Sequence, residues 1–195
     1  MEAKIVIAKT SNGSTLWLVK QAIEQASIGK KVLFVTTEMT VRTICGRLYS
    51  CMCESHNIEQ MNIDQMNITI RKANNLNFVE PGEYFDVVVI DSPNILFYKE
   101  QTFSIPFEKL DEVIGDALLI TNLQATRNGF ENGRVQVSGC NVFPECVKSA
   151  TYLEKVDENF VETSIDLKTF TKRDVVNIFK IGKKTDVSLP YFEEV

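Results

Sequence analysis

Residues 3–36 read AKIVIAKTSNGSTLWLVKQAIEQASIGKKVLFVT, and the order of patterns in this stretch decides the fold class. Ala3 to Ala8 is a short apolar, β-branched run, as expected of a strand buried on both faces. KTSNGS at 9–14 is turn-rich, and TLWLVKQAIEQAS at 15–27 then places apolar residues at helical spacing through Leu18, Ala22, Ile23 and Ala26. Gly29 with Lys30 and Lys31 ends that helix as a C-terminal glycine and cations should. VLFVT at 32–36 is a second buried strand, so the chain opens with a βαβ unit.

Working outward, VRTICGRLYSCM after Thr40 is helical in pattern. IEQMNIDQMNITIRKANNLNFVEPGEY at 58–84 is asparagine-rich and without a firm period, which predicts helix fragments plus loop. FDVVVID at 85–91 is an apolar strand closing on an aspartate, Phe107 to Ile114 reads as a helix, and ALLITNLQ at 117–124 as another strand. Alternating strands and helices imply a mostly parallel α/β sheet. Beyond Gly129 the strand-like pieces TYLEKV, FVETSIDLKTF and VVNIFKI, with no long helix among them, predict an antiparallel C-terminal edge. No repeat or Pro- or Ser-rich linker interrupts the chain, so residues 1–195 are expected to form a single domain.

With 44% hydrophobic residues in 195, a sizeable core forms without disulfides or metal. Five cysteines, an odd number with close pairs Cys51/Cys53 and Cys140/Cys146, read as reduced thiols of a cytoplasmic protein. The start MEAKIVIAKT lacks the pattern of a signal peptide, and the longest apolar runs are far below the roughly 18 residues of a membrane span. Cys45, Cys51, Cys53 and His56 have no C-x-x-C spacing and read as a helix with buried thiols rather than a zinc site. The net charge of −5 repels a nucleic-acid backbone, which leaves one local candidate for such contact. Lys168, Lys172, Arg173, Lys180, Lys183 and Lys184 face the single Asp174 in their interval, a run that reads either as a solvated edge or as a surface for nucleic acid or an acidic partner.

A phosphate-binding loop needs a strand, a glycine-rich turn whose N–H groups face the phosphates, and a helix whose N-terminus adds its dipole. AKTSNGST at 8–15 occupies that place. Against G-x-x-x-x-G-K-[ST], Gly13 and Thr15 fit, Ala8 replaces the first glycine, and Ser14 stands in the lysine slot. By itself the pattern fits an ordinary strand-to-helix turn as well as a nucleotide site. Glu38 and Asp91, at the ends of predicted strands, read either as ligand-binding acids or as helix caps.

The chain as a whole resembles the RecA-type motor domain of DnaB-like replicative helicases over about residues 3–192. AKTSNGST is similar to that family's phosphate loop at the alanine, the basic second residue, the serine, the glycine and the final threonine. GKKVLFVTTEMTVRTICGRLYS resembles its second strand and helix, with a glutamate-methionine pair and an arginine-leucine pair. YFDVVVIDSPNIL resembles its Walker B strand, although Ser92-Pro93 follows Asp91 where the family has an aromatic residue. ALLITNLQATRNG resembles the strand that ends in a γ-phosphate-sensing glutamine, with Arg127 nearby, and VVNIFKIGKKTDVSLPYF the hairpin that reaches a neighbouring subunit's nucleotide.

The resemblance implies a RecA-like P-loop fold with helices on both faces of the sheet, and ATP with Mg²⁺ as ligands. It assigns phosphate contact to Lys9, Asn12, Gly13, Ser14 and Thr15, and Mg²⁺ to Thr15 and Asp91. Water activation falls to Glu38 (vestigial if hydrolysis is lost), γ-phosphate sensing to Gln124, and the hairpin cation to Lys180. Gly182 stands where the arginine finger belongs, and loss of such a finger is typically worth about 10³–10⁵ in rate. With the loop lysine also replaced, unless Lys9 swings inward to substitute, hydrolysis is expected at background.

The family's N-terminal domain and linker helix do not fit before Met1, so helicase activity is not expected. The expectation is a pseudo-ATPase, encoded by a phage or mobile element and acting through contacts with replication or recombination machinery in the host cytoplasm. An active ATPase of the helicase or recombinase class with a non-standard loop, and a structural subunit without ligand, remain the alternatives.

Overall fold

The computed structural model describes residues 1–54, 66–96, 107–138, 143–182 and 191–194. In chain order the elements are β1 (Glu2–Ala8), α1 (Ser14–Ser27), β2 (Val32–Thr36), α2 (Val41–Glu54), β3 (Ile68–Lys72), β4 (Val87–Asp91), α3 (Pro93–Leu96) and α4 (Phe107–Ile114). The β-rich remainder is β5 (Leu118–Glu131), β6 (Arg134–Val137), β7 (Val147–Val156), β8 (Asn159–Ile165), β9 (Lys172–Gly182) and β10 (Tyr191–Glu194). The strands form one sheet in the order β10-β9-β8-β7-β1-β5-β4-β2-β3, with β6 paired to β5.

β1 lies in the middle and runs parallel to both β5 and β7. β5, β4, β2 and β3 continue in parallel on one side. On the other, β7 through β10 are antiparallel, as the missing helices beyond Gly129 predicted. The apolar strands VLFVT and VVVID are buried at every position, because both sheet faces are covered. Val6, Phe34, Val89 and Ile120 meet α1 and α2 through Trp17, Val19, Ile44 and Leu48. Ile5, Leu33, Val88 and Ile90 form the opposite face with Leu96, Phe107 and Leu110 of α3 and α4. Helices therefore cover both faces, and the α/β class with a parallel sheet and antiparallel C-terminal edge holds. At the end of α1, Gly29 takes φ +84° and its N–H closes on Ala26 O at 2.9 Å, as the sequence indicated.

The structure departs from the sequence reading at three places. ITIRK, inside the stretch read as helix fragments and loop, is edge strand β3, held in register by β2 from Val32/Ile68 to Thr36/Lys72. Its half-buried side chains carry too little apolar contrast to stand out among the surrounding asparagines. β5 runs on past Gln124 to Glu131 and turns into β6. FVETSIDLKTF breaks after Ile165, where Asp166 Oδ1 accepts the N–H groups of Lys168 at 2.9 Å and Thr169 at 2.8 Å and turns the chain into β9.

Among the described residues no helix is long and apolar enough to cross a membrane, and Cys45, Cys51 and Cys146 are free; Cys45 on α2 is exposed and Cys51 half-buried, rather than the buried thiols the sequence suggested. Cys140 and His56 lie outside the described residues.

Because register pairs Ala8 with Gln124 and Thr36 with Asp91, the C-terminal ends of β1, β2 and β4 meet the middle of β5 along one edge of the sheet. In open parallel sheets this is where ligands bind. Phe34, fully buried in β2 beneath α1 and α2, is the test of this core. Phe34→Ala should cost about 3–5 kcal/mol and lower the thermal midpoint by roughly 2–4 °C per kcal/mol, measured by circular dichroism.

Candidate functional site

The loop between β1 and α1 is shaped by two left-handed residues, Ser11 at φ 66° and Gly13 at φ 81°. A Cβ on Gly13 would also lie 2.5 Å from Cζ of Phe192 in β10, so both conformation and space require glycine there. No side chain caps the N-terminus of α1, which leaves its first N–H groups open toward a cavity of about 450 Å³. Lys9, Gly13, Ser14, Thr15, Glu38, Asp91 and Gln124 all line that cavity. The fold thus brings together most of the sequence-derived site residues from four separate stretches.

At the cavity floor Thr15 Oγ1 donates to Asp91 Oδ2 at 2.8 Å. Asn122 Nδ2, from β5, donates to Asp91 Oδ1 at 3.1 Å and to Ser14 Oγ at 3.3 Å, so the hydroxyl in the lysine slot is tied to the carboxylate through an amide. Asn122 Oδ1 is buried without a partner among the described residues. Burial pushes the Asp91 carboxyl above its ordinary range; the Thr15 hydrogen bond opposes this and the charge of Glu38 adds to it. Glu38 itself is exposed, one residue past Thr37, whose hydroxyl donates to Ser92 O at 3.0 Å and accepts from Ser92 N–H at 2.9 Å. Thr37 therefore fixes the end of β2 against the end of β4.

Two residues of this site escaped the sequence reading. Arg47 of α2 lines the same cavity, with Nε buried and unpartnered among the described residues. Burial lowers its pKa while the charge of Asp91 opposes that shift. It belongs to the arginine-leucine pair already noticed, and its position nine residues past Glu38, on a helix entering from the site edge, was the available signal. Asn122 is two residues before Gln124 and so on the same face of β5, which alternation alone could have suggested.

Other sequence-derived residues sit at the margin. Gln124 is exposed and donates to Thr10 Oγ1 at 2.7 Å, clamping β5 to the loop. Asn12 closes a turn through its N–H to Lys9 O at 3.1 Å and does not line the cavity. The stem of Lys9 packs over Gly129, where a Cβ would meet its Cε at 2.2 Å, beside the hydroxyl of Tyr152. Lys180 is exposed on β9, and alternation places it on the face opposite its neighbour Ile181, which does line the cavity.

Within the basic run, Lys172 pairs with Glu154 at 2.5 Å and stands over the rings of Phe130 and Tyr152, and Arg173 pairs with Asp166. Part of that charge is thus neutralised within the chain. Lys183 and Lys184 lie outside the described residues.

Thr15 and Asp91 place a hydroxyl and a carboxylate oxygen side by side, the hard-oxygen set by which Mg²⁺ is held when phosphates and waters complete its shell. The residues present therefore fit the cation that the phosphate loop implies.

No protein-family model matches the sequence, and no curated protein matches it. Solved structures, by contrast, share its shape. A DnaB-like replicative helicase, described with its interactions with primase, superposes with a TM-score of 0.62 at 14% identity, over 94% of this chain and 57% of that one. A second solved structure, described as an ATPase domain, superposes with a TM-score of 0.56 at 13% identity, over 92% of this chain and 81% of that one. This chain has the RecA-like fold of those ATPase domains, and spans little more than half the length of the helicase chain.

Because its buried carboxyl holds a proton more tightly folded than unfolded, Asp91 costs stability increasingly as pH rises through and above the ordinary carboxylate range. Asp91→Asn should accordingly raise the thermal midpoint at pH 8 by on the order of 2–4 °C, with the gain vanishing below the ordinary carboxylate range. Scanning calorimetry across pH checks this, and an unchanged or lower midpoint at pH 8 would contradict it.

Proposed function

We propose that this chain is a RecA-fold module that holds ATP with Mg²⁺ without turning it over, and acts through protein contacts in DNA replication or recombination. One observation carries the reading: Ser14 sits in the lysine slot with its hydroxyl hydrogen-bonded to Asn122, while the Thr15–Asp91 pair beside it is intact. Binding parts are retained where a charge needed for turnover is missing.

In this reading residues 1–195 act as one domain. The open N–H groups of Gly13, Ser14 and Thr15 cradle phosphate at the positive end of α1. Thr15 and Asp91 hold Mg²⁺, which when bound neutralises phosphate charge. Arg47 supplies a guanidinium to the same cavity. Glu38 stands at the mouth, where a carboxylate can take a proton from water. Nothing at position 182 can stabilise charge developing on a transferred phosphoryl group, since the residue is glycine. Contacts with a replication or recombination partner are proposed for the face around Ser14, Glu38 and Asp91 or the β9 edge with Lys180. Single-stranded DNA binds weakly if at all, given the paired state of Lys172 and Arg173.

A fluorescent ATP analogue titrated with and without Mg²⁺, alongside phosphate release and solution mass, tests this. The expected result is Mg²⁺-dependent binding with release at background. Ser14→Lys should tighten binding about tenfold, the worth of one charge-assisted contact, without comparable turnover. Turnover abolished by Glu38→Gln would establish an active ATPase instead, and absence of nucleotide binding at millimolar concentration would leave a structural subunit.

A further inference from the structure

A second concavity, of about 910 Å³, lies on the α1 face of the sheet, where α1 leaves the antiparallel strands β7, β8 and β9 uncovered. Its floor is unlike the apolar core beside it. Register puts Thr151 opposite Ser164 and Leu153 opposite Glu162, while Glu162 faces Asn177 on β9. Thr151, Glu162 and Asn177 therefore share one face of the sheet, with Gln21 and Glu24 of α1 forming the wall.

The polar groups at this floor are acceptors in excess of donors. Glu162 is 3% exposed, and the neutral amide of Asn177 is what meets it, donating through Nδ2 to Oε2 at 2.8 Å. No cation among the described residues pairs with it. Thr151 is 6% exposed, lines the concavity, and its Oγ1 has no partner among the described residues. A buried carboxylate and a buried hydroxyl left this way destabilise the fold unless a donor meets them.

The nearby cations are committed elsewhere. Lys4 Nζ donates to Gln21 Oε1 at 2.5 Å and lies 5.3 Å from the Trp17 ring centroid. Lys148 donates to Glu145 O, and Arg173 pairs with Asp166. Lys168 and Asp174 at the rim carry one charge of each sign.

We propose that this concavity binds a small organic cation, a guanidinium or primary ammonium, which Glu162 holds by a charge-assisted hydrogen bond with Thr151 as a second acceptor. The site is separate from the phosphate-loop cavity and does not depend on nucleotide. Such a group brings both what Glu162 lacks, a positive charge, and what Thr151 lacks, an N–H donor. Binding beside Gln21 competes with Lys4, so Trp17, the one tryptophan of the chain, reports on it.

The test titrates the whole protein with arginine amide and with spermidine, at ionic strength matched by NaCl, following Trp17 emission and backbone amide shifts. A blocked Gly-Arg-Gly peptide separates a free small cation from a basic side chain of a polypeptide. Saturable shifts centred on Gln21, Thr151, Glu162 and Asn177 are expected for the free cations and weaker ones for the peptide; the reverse order would assign the site to a protein side chain and overturn the small-ligand proposal. Glu162→Gln keeps the shape and should weaken affinity by about tenfold or more, while Thr151→Val, which spares the carboxylate, should weaken it a few-fold. Linear, non-saturating shifts up to tens of millimolar, or equal affinity in both variants, would overturn the proposal.

Discussion

A buried carboxylate with no ion pair among the described residues organises this molecule. Asp91 closes β4 at the edge of the sheet that carries the cavity and is satisfied by neutral donors, the Thr15 hydroxyl at 2.8 Å and the Asn122 amide at 3.1 Å. Those two bonds tie the start of the helix after β1, the end of β4 and the middle of β5 to one side chain, on top of the backbone ladders that align β1, β5 and β4. Burial raises its pKa, which is to say the fold carries an electrostatic cost there. Such a cost is common where a site is built to meet a cation.

Around that carboxylate the nearest cations among the described residues come from the loop and from α2. The lysine slot holds a hydroxyl, Lys9 is packed over Gly129, and Arg47 enters from α2 with a buried Nε. A guanidinium on a helix and a lysine in the loop are not equivalent, because the guanidinium is a planar fork of donors and the ammonium a compact point charge.

The loop is also restrained from the far end of the chain. Phe192 of β10 packs on Gly13 and stacks on Phe179 at 4.9 Å, with Phe160 at 5.1 Å. The hairpin strands β9 and β10 are thereby mechanically continuous with the phosphate loop of the same chain, and Ile181 of β9 reaches the cavity wall. The second concavity lies on the same side of the sheet, one helix face away, where α1 ends its coverage and polar residues take over from the core.

Much of the architecture was legible in residues 3–36 and in VVVID, because fully buried parallel strands must be uniformly apolar and a helix packed on them must repeat its apolar residues every three to four positions. Ser14 and Thr15, which open α1 just after β1, Glu38 just after β2, and Asp91 at the end of β4 lie where the sequence pattern locates strand-to-helix junctions and strand ends. β3 was not legible, since an edge strand with half-buried side chains has no such contrast. Arg47 and Asn122 carried only weak signals, a helix position nine residues past Glu38 and strand alternation with Gln124, because the helix face and strand register that bring them to the site are set by contacts among residues far apart in the chain. The sequence by itself determined an α/β sheet whose first strand runs through the turn-rich stretch KTSNGS into a helix. Only the tertiary structure decided which polar groups meet around Asp91 and that Glu162 is buried against a neutral amide, because burial and pairing depend on packing between strands that the sequence keeps apart.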